Sequence, residues 1–274
     1  MPSVGANRLK RMPQPQPAEH TQTSYEVRFD WGIEGLRSIA PGAGVIVFID
    51  TISFTTTVEL ATALGLEVEP YPTLDRDAAT AYAAAVGAKL AARRGEPGLS
   101  LSPTSMTAEN AAEFDAPRVV VISLNGSRVA ADAAGYAVPV VAANLRNFSA
   151  VARWVLAHQE QLGQRAKVAV VASGERRVDD TLRPAVEDQL AAGAVIGALA
   201  ALGIDACSPE AAVAAASFEA LRPAVRHLLT ASVSARELAA VGQLDDVKIA
   251  AQLDVSDVVP VMRDGVFRAE RIPE

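Results

Sequence analysis

The chain has 274 residues and a formal net charge of −7, and half of its residues are apolar. This balance is typical of a globular protein with one large or two small domains, and the negative charge argues against binding to duplex nucleic acid. A single cysteine, Cys207, excludes an internal disulfide and a zinc site of four thiolates. The three histidines lie far apart, without the H-E-x-x-H spacing of a zinc site.

No segment predicts insertion into a membrane. The longest apolar run, residues 190–204, is shorter than the roughly 18–20 residues that a transmembrane helix needs. The start of the chain is basic but rich in Pro and Gln, so a signal peptide is not expected. We therefore expect a cytoplasmic protein with neither a membrane nor a nucleic-acid partner, and association into a homodimer stays open.

The first half of the chain predicts a tail followed by alternating strands and helices. Residues 1–24 lack an apolar period and predict a disordered tail. Residues 44–50 form a continuous β-branched run that ends in Asp50, and residues 66–71 predict a second strand. Helices are predicted over 55–65, which opens with threonines, and over the Ala-rich stretch 75–94.

The second half continues the alternation. Buried strands are predicted at 118–124, 138–143 and 167–172. Residues 144–147 lead into a predicted helix that runs to about residue 161, and further helices are predicted at 184–202, 208–223, 233–241 and 244–251. The chain closes with a hairpin, 258–262 and 266–271, around Asp264-Gly265. Uninterrupted Val/Ile strands alternating with helices predict a three-layer α/β/α sandwich with a mostly parallel sheet. Residues 25–274 contain no linker, so we expect a single domain.

Polar residues follow the predicted strands, where ligands bind in open parallel sheets. Helix N-termini, hydroxyls, amides and arginines at one edge favour a phosphate or another small anion. The candidates for binding it are Thr55, Thr56, Asn125, Gly126, Ser127, Asn144, Arg146, Asn147, Gly174, Glu175, Arg176 and Arg183.

Three acidic residues are candidates for metal binding and catalysis. Asp50, Glu187 and Asp188 offer the hard oxygen ligands that suit Mg²⁺. Each feature also has a purely structural interpretation. The threonines at 55–57 serve equally well as helix caps, Asn125-Gly126 as a turn, and Glu187 and Asp188 as partners of a helix dipole. Asp50 is harder to explain structurally, because a carboxylate that ends a buried strand is costly unless it is paired.

Common phosphatase and nucleotide motifs are absent. Cys207 has no arginine six positions later, Ile52 stands where a D-x-D motif needs its second Asp, and no G-x-S-x-G or G-x-x-x-x-G-K-[ST] sequence occurs. Gly42-Ala43-Gly44 precedes its strand, so it is not a dinucleotide fingerprint.

Taken in order, the motifs resemble a known family. The matching pieces are Ile49-Asp50 with Thr55-Thr56-Thr57, Asn125-Gly126-Ser127, residues 144–150 (NLRNFSA), Ala172-Ser173-Gly174-Glu175, Glu187-Asp188 with Ala192-Gly193, and Ser234, Arg236, Gly242, Asp246, Asp254, Val259-Pro260 and Asp264-Gly265. Over about residues 25–268 the chain resembles the 2-phosphosulfolactate phosphatase (ComB-type) family, and residues 28–32, 95–97 and 174–176 look like a divergent bacterial branch. The resemblance implies a Mg²⁺-dependent phosphomonoester hydrolase with a three-layer α/β/α fold.

One departure bears on the substrate. After the strand-terminal Asp the family pattern reads hydrophobic-hydrophobic-Arg-Ala-Thr-Thr-Thr, whereas this chain has Ser53 and Phe54 at the Arg and Ala positions. An arginine of the family pattern is therefore missing, and Arg146, Arg176 or Arg183 are candidates to replace it. Phe54 is expected either to point into the cleft or to pack under the following helix.

The leading hypothesis is a Mg²⁺-dependent phosphatase of a small phosphorylated hydroxy acid resembling 2-phosphosulfolactate. Asp50, aided by Glu187 and Asp188, would hold the metal, and one of the carboxylates would act as a general base. The second hypothesis is a non-catalytic small-anion-binding protein on the same fold, and a third is a hydrolase of a different ester.

Overall fold

The computed structural model describes residues 17–123 and 125–272. Eleven strands are found there: β1 Val27–Trp31, β2 Val45–Ile49, β3 Glu67–Pro70, β4 Lys89–Leu90, β5 Arg118–Val121, β6 Val140–Ala143, β7 Val168–Ala172, β8 Glu175–Arg176, β9 Leu182–Arg183, β10 Val259–Arg263 and β11 Val266–Glu270. The α-helices of the same residues are α1 Gly32–Ile39, α2 Thr56–Ala63, α3 Arg76–Ala85, α4 Ala108–Phe114, α5 Gly126–Ala133, α6 Phe148–Leu162, α7 Val186–Ala201, α8 Pro209–Leu221, α9 Val225–Ala231, α10 Val233–Ala240 and α11 Leu244–Ala250.

Nine of these strands form one sheet in the order β1-β7-β2-β6-β10-β11-β3-β5-β4. The neighbours β1–β7, β7–β2, β2–β6, β3–β5 and β5–β4 pair in parallel. The predicted C-terminal hairpin, β10 and β11, lies inside the sheet, where it pairs antiparallel with β6 on one side and with β3 on the other. The sheet is thus mostly parallel, as predicted, and strands from both halves of the chain build it.

The two faces of β2 bury different side chains. Val45, Val47 and Ile49 point into a core with α6, α7 and α8, whereas Ile46 and Phe48 pack on the opposite side with α1, α2 and α5. A strand buried on both faces lies in the middle of three layers, which explains its continuous apolar run. The predicted three-layer α/β/α sandwich is confirmed.

The predicted tail is partly ordered. Residues 1–16 lie outside the described residues, but Ala18–Thr21 forms a short 3₁₀-helix. The Gln22 side chain then exchanges two hydrogen bonds of 2.9 and 3.0 Å with the backbone of Phe29. The disorder predicted up to residue 24 therefore does not extend over residues 18–23, because this segment docks on β1, a strand that the sequence reading did not assign.

The long helix predicted over 75–94 is wrong. Helix α3 ends at Ala85, and Gly87 follows with a φ of 69°, a conformation that glycine adopts easily after a helix. The chain then forms the edge strand β4 and leaves it at Ala91. Residues 91–94 consequently lie at the carboxyl end of a strand and not on a helix, which changes the position of Arg93 and Arg94.

Close packing of α7 on α8 depends on Gly193. A Cβ atom at Gly193 would lie 2.1 Å from the Ala214 carbonyl oxygen, so the two helices would have to separate. We expect Gly193→Ala to lower the free energy of unfolding by about 1–3 kcal/mol, as overpacked cores do. Gly197→Ala in the same helix is the matched control, because nothing lies within 4 Å of its added Cβ.

Chemical denaturation of the two variants tests this expectation. Gly197→Ala should be neutral or more stable by up to about 1 kcal/mol, the helix propensity gained over glycine. Equal effects of the two substitutions would contradict a packing role for Gly193.

In the described part of the chain, no helix combines the length and the apolar character needed to cross a bilayer.

Candidate active site

Asp50 directly follows the central strand β2 and begins a wide turn, Thr51–Thr55, that leads into α2. Within this turn Ser53 has a φ of 96° and a ψ of −66°, a conformation that non-glycine residues rarely adopt. Such strain persists only where the surroundings hold the backbone, and it is common at functional sites. The predicted position of Asp50, at the carboxyl end of a buried strand, agrees with the structure.

The threonines hold this turn closed. The Thr55 hydroxyl donates to the Asp50 carbonyl oxygen (2.9 Å), and the Thr56 hydroxyl donates to the Thr51 carbonyl oxygen (2.7 Å). The backbone N–H of Thr55 also donates to the Asp50 carbonyl oxygen at 2.8 Å. Both side chains are fully buried. Thr55, at the N-cap of α2, makes no side-chain capping hydrogen bond, so these contacts close the turn and are not the helix capping of the structural alternative.

Asp188 joins two segments of the site. Its Oδ1 accepts a hydrogen bond from the Thr51 N–H (2.8 Å) and its Oδ2 accepts one from the Gly174 N–H (3.0 Å). The turn after β2 is thereby fixed to the turn after β7. The neighbouring Glu187 is also buried, and its Oε2 has no hydrogen-bond partner among the described residues.

Four acidic side chains influence one another at this position. Burial raises the pKa of Asp50 well above its ordinary value, and repulsion from Asp188, Glu175 and Glu187 raises it further. Burial and the charge of Glu187 likewise raise the pKa of Asp188 to about 8, although the two backbone N–H groups favour its charged form. Burial also raises the pKa of Glu175. A bound cation would relieve this repulsion.

Asn125 and Gly126 approach Asp50 from the end of β5. Asn125 Nδ2 donates to Glu175 Oε2 (2.7 Å), while Asn125 Oδ1 is buried without a partner among the described residues. A Cβ atom at Gly126 would lie 2.6 Å from Asp50 Oδ2 and 2.5 Å from the Phe54 ring. Glycine at position 126 therefore leaves room for both the carboxylate and the aromatic ring.

We expect Gly126→Ala to displace the Asp50 carboxylate and to lower turnover by about 100-fold, since misplacement by about 1 Å can have this effect. Gly135→Ala, nearby in the chain, is the control, because its added Cβ meets nothing within 4 Å. Phosphate release and the melting temperature of both variants should be measured together. Full activity of Gly126→Ala would show that the carboxylate position is not critical.

A cavity of about 460 Å³ opens beside Asp50, and we call it the Asp50 cavity. Of the predicted residues, Asp50, Asn125 and Glu175 line it, together with Ser53 from the strained turn. The remaining lining includes three arginines that the sequence reading did not select: Arg76, Arg93 and Arg94. They were missed because residues 75–94 were assigned to one helix; the glycine at position 87 was the available signal that this helix ends early.

Four predicted residues are committed to internal contacts and are absent from the lining of this cavity. Ser127 donates to the Val121 carbonyl oxygen (3.2 Å), and Asn144 Nδ2 donates to the Thr55 carbonyl oxygen (3.1 Å). Asn147 accepts from the Asn144 N–H (3.0 Å) through its side chain. Arg146 donates from Nε to the buried Glu59 carboxylate (2.7 Å).

Arg176 and Arg183 are near Glu175 in the chain but do not line the Asp50 cavity. Arg176 lines a second cavity of about 420 Å³, which shares Asn125 and Glu175 with the first, and pairs with Asp180 at 2.9 Å. Arg183 Nη2 donates to Ser234 Oγ (3.4 Å), and its charge acts to lower the pKa of Glu175. Gly174 begins this segment with a φ of 62°, and its N–H contacts Asp188.

Comparison with known proteins decides the family. A sequence model described as 2-phosphosulpholactate phosphatase matches residues 36–265, which is most of the chain. The chain belongs to the 2-phosphosulpholactate phosphatase family. The resemblance drawn from the ordered motifs is confirmed, and the family makes the protein a phosphoric monoester hydrolase. A search of curated proteins found no match.

The departure from the family pattern at Ser53 and Phe54 has different consequences at the two positions. The Phe54 side chain is 1% exposed and packs edge-to-face on Phe48, with ring centroids 5.7 Å apart. The Phe54 ring therefore packs in the core, as one of the two expected placements has it, and it also forms part of the lining of the Asp50 cavity. Ser53 instead faces the Asp50 cavity and accepts a hydrogen bond from Arg94.

The acidic cluster suits a hard cation by its chemistry but does not form a closed metal cage. Among residues 17–123 and 125–272, no group of three or more His, Cys, Asp and Glu side chains is placed to enclose an ion. Mg²⁺ needs few protein ligands and keeps several waters, so one or two carboxylates are enough. Among the described residues, Glu187 Oε2 and Asn125 Oδ1 are buried without a hydrogen-bond partner, and together with Asp50 they are the oxygens whose chemistry would suit such an ion.

Proposed function

We propose that this protein hydrolyses the phosphate ester of a small hydroxy acid resembling 2-phosphosulfolactate, and that it needs Mg²⁺ to do so. The observation that carries the proposal is Asp50, a buried carboxyl group with a raised pKa that opens onto a cavity lined by arginines. Carboxyl groups and guanidinium groups that line the same cavity suit a phosphate monoester bound through a metal ion.

The residues of the site divide into two roles. Asp50 lies at the cavity surface and is the candidate for holding Mg²⁺, assisted by Glu187. Asp188 uses both of its oxygens on backbone N–H groups, so we assign it to positioning the turns that carry Asp50 and Glu175. This assignment refines the reading in which Asp188 itself binds the metal.

Glu175 is the best-placed proton carrier. It lines the cavity, it is held by Asn125, and burial raises its pKa above the ordinary value of a glutamate, the direction that suits a general acid or base. We propose that Glu175 accepts or delivers the proton of the hydrolysis at Oε1, the carboxylate oxygen that Asn125 does not contact. When bound, Mg²⁺ would neutralise charge on the phosphoryl oxygens and lower the pKa of a coordinated water.

The test is release of inorganic phosphate from a panel of phosphorylated hydroxy acids, including 2-phosphosulfolactate, by the purified protein. We expect turnover with Mg²⁺, loss of turnover in EDTA, and recovery when Mg²⁺ is restored. Asp50→Asn, purified identically, controls for contaminating phosphatases. Turnover that survives EDTA would contradict the metal requirement, and binding of phosphate without turnover of any ester would favour the anion-binding protein instead.

A further inference from the structure

We propose that Arg94 binds an anionic group of the ligand in the Asp50 cavity and that the small side chain of Ser53 leaves room for it to do so. The inference deepens the proposed function and rests on it for the nature of the ligand, a phosphate ester. Arg94 is not among the candidate residues of the sequence analysis, although two of its partners, Ser53 and Asp246, lie at positions compared there with the family pattern.

Arg94 is placed at the cavity by the strand that ends at Leu90. It lines the Asp50 cavity together with Asp50 and Ser53. One end of its guanidinium group, Nη1, pairs with Asp246 and donates to Gln243 Oε1 (3.3 Å). The other end, Nη2, contacts the Leu101 carbonyl oxygen. The side chain is 24% exposed, so it is anchored by the protein and open to the cavity.

Asp246 fixes the orientation of Arg94. Its side chain is 1% exposed and accepts hydrogen bonds from Ser102 Oγ (2.6 Å) and from the N–H of Thr104 (2.9 Å). The Thr104 hydroxyl donates to it as well, at 2.7 Å. These donors hold the carboxylate, and a fixed carboxylate holds one edge of the guanidinium group. Asp246 is thus a positioning residue.

Ser53 occupies the position where a ligand oxygen would bind. Arg94 Nη2 donates to Ser53 Oγ at 2.6 Å, which is a contact between a charged donor and a neutral acceptor. Hydrogen bonds from arginine to an anionic oxygen are about twice as strong as those to a neutral group. No described residue accepts a hydrogen bond from Arg94 Nε. An anion entering the cavity can therefore replace the serine hydroxyl at Nη2 and also accept from Nε.

The neighbouring arginines make this wall of the cavity positive. Arg76 lines the same cavity and donates to the Ala91 carbonyl oxygen (2.7 Å), and among the described residues no carboxylate lies within ion-pair distance of it. Arg93 lies at the rim, with Glu96 at 3.9 Å. Asp50 and Glu175 line the cavity too, so an anion at Arg94 would lie within the same space as the proposed catalytic carboxylates.

Calorimetric titration with inorganic phosphate in the presence of Mg²⁺ tests the contact without knowledge of the natural ester. We expect Arg94→Gln to weaken phosphate binding by about 10- to 100-fold, the effect of losing a charge-assisted hydrogen bond. Arg94→Lys should fall between this variant and the parent protein, because lysine keeps the charge but lacks the planar pair of donors. Arg153→Gln removes the same charge from an exposed arginine that does not line the cavity, and it should change phosphate affinity by less than about threefold, since solvent screens this charge.

Two further variants separate binding from folding. Arg94→Gln leaves the buried Asp246 without its cationic partner, which could destabilise the fold. The double variant Arg94→Gln with Asp246→Asn removes both charges. It should fold stably and bind phosphate as weakly as Arg94→Gln does. Ser53→Arg with Arg94→Ser exchanges the two side chains across their contact and should recover at least part of the affinity. Phosphate affinity within threefold of the parent in both Arg94→Gln backgrounds would overturn the proposal.

Ester hydrolysis distinguishes this inference from the proposed function. If the parent protein hydrolyses its ester and Arg94→Gln keeps the same kcat/KM, the phosphatase function stands and the role of Arg94 is refuted. If no ester is hydrolysed but phosphate affinity still falls in Arg94→Gln, the role of Arg94 stands and the phosphatase function fails. Absence of any phosphate binding by the parent protein would refute the role of Arg94, and the phosphatase function would then be decided by the turnover assay alone.

Discussion

Replacing Asp50 with Asn is expected to reduce phosphate release by roughly 10²- to 10⁴-fold, because it removes the proposed carboxylate ligand of Mg²⁺, an ion whose charge stabilisation is worth several kcal/mol. The same substitution is expected to raise the melting temperature at neutral and alkaline pH. Burial raises the pKa of Asp50 and repulsion from the neighbouring acids raises it further, so the negative charge of this side chain opposes folding wherever it is ionised. Asparagine keeps the shape and removes the charge.

The sign of the pH dependence follows from proton linkage. A carboxyl group with a higher pKa in the folded than in the unfolded state binds its proton more tightly when folded, so the free energy of unfolding falls as pH rises. The fall begins near pH 4, the unfolded value, and for Asp188 it continues to its folded pKa of about 8. We therefore expect the stability gained by Asp50→Asn to be small at pH 4 and larger at pH 8.

Thermal melts in EDTA at these two pH values check the expectation, because a bound cation would compensate the repulsion and reduce the difference. Asp132→Asn is a suitable control. That carboxylate is paired with Arg37 at 2.8 Å on the outer side of α5, so its removal should not stabilise the fold. If Asp50→Asn were less stable than the parent at pH 8, Asp50 would be a structural group with a favourable partner.

The sequence predicted the layers and the position of Asp50 because strong local patterns determine both. Continuous Val/Ile runs occur only where a strand is covered on both faces, and β2 has two separate cores on its two sides. Asp50 directly follows that run. The order of the motifs along the chain indicated the family, which composition and periodicity alone could not indicate.

The three arginines that line the Asp50 cavity, Arg76, Arg93 and Arg94, could not be predicted in the same way. Arg94 reaches Ser53 and Asp246, which lie 41 and 152 positions away in the chain, and such contacts leave no local period. The Ala-rich composition of residues 75–94 also favoured one long helix, and alanine propensity outweighed the stop signal of Gly87. Local propensity is a weak guide where a glycine and tertiary packing end an element.

Arg146 illustrates the opposite error, a charged residue that follows a strand but belongs to the core. Its Nε lies 2.7 Å from the Glu59 carboxylate, and Glu59 is 1% exposed. Gln252 also accepts from the guanidinium group, and the Arg146 carbonyl oxygen accepts from the N–H of Val255 (2.8 Å). These contacts join α2 to the segment that leads into the C-terminal hairpin. Arg146 does not line the Asp50 cavity.

Arg146→Ala is accordingly expected to lower the free energy of unfolding by about 3–5 kcal/mol, because it leaves Glu59 charged and unpaired in the core. At roughly 2–4 °C for each kcal/mol, the melting temperature should fall by about 10 °C. Arg153→Ala is the matched control: its pair with Asp257 is 2.7 Å long but exposed, and such pairs contribute about 1 kcal/mol or less.

The double substitution Arg146→Met with Glu59→Leu decides whether the pair is structural. Replacing both charges with apolar groups of similar volume removes the unpaired carboxylate, so stability should return close to that of the parent. Phosphate affinity should also match that of the parent, because neither side chain lines the Asp50 cavity. If Arg146 instead bound the ligand, as the sequence reading suggested, the double variant would fold normally and lose phosphate affinity by about 10-fold or more. The two assignments thus predict the same stability but different phosphate affinities for the double variant, so the affinity measurement separates them.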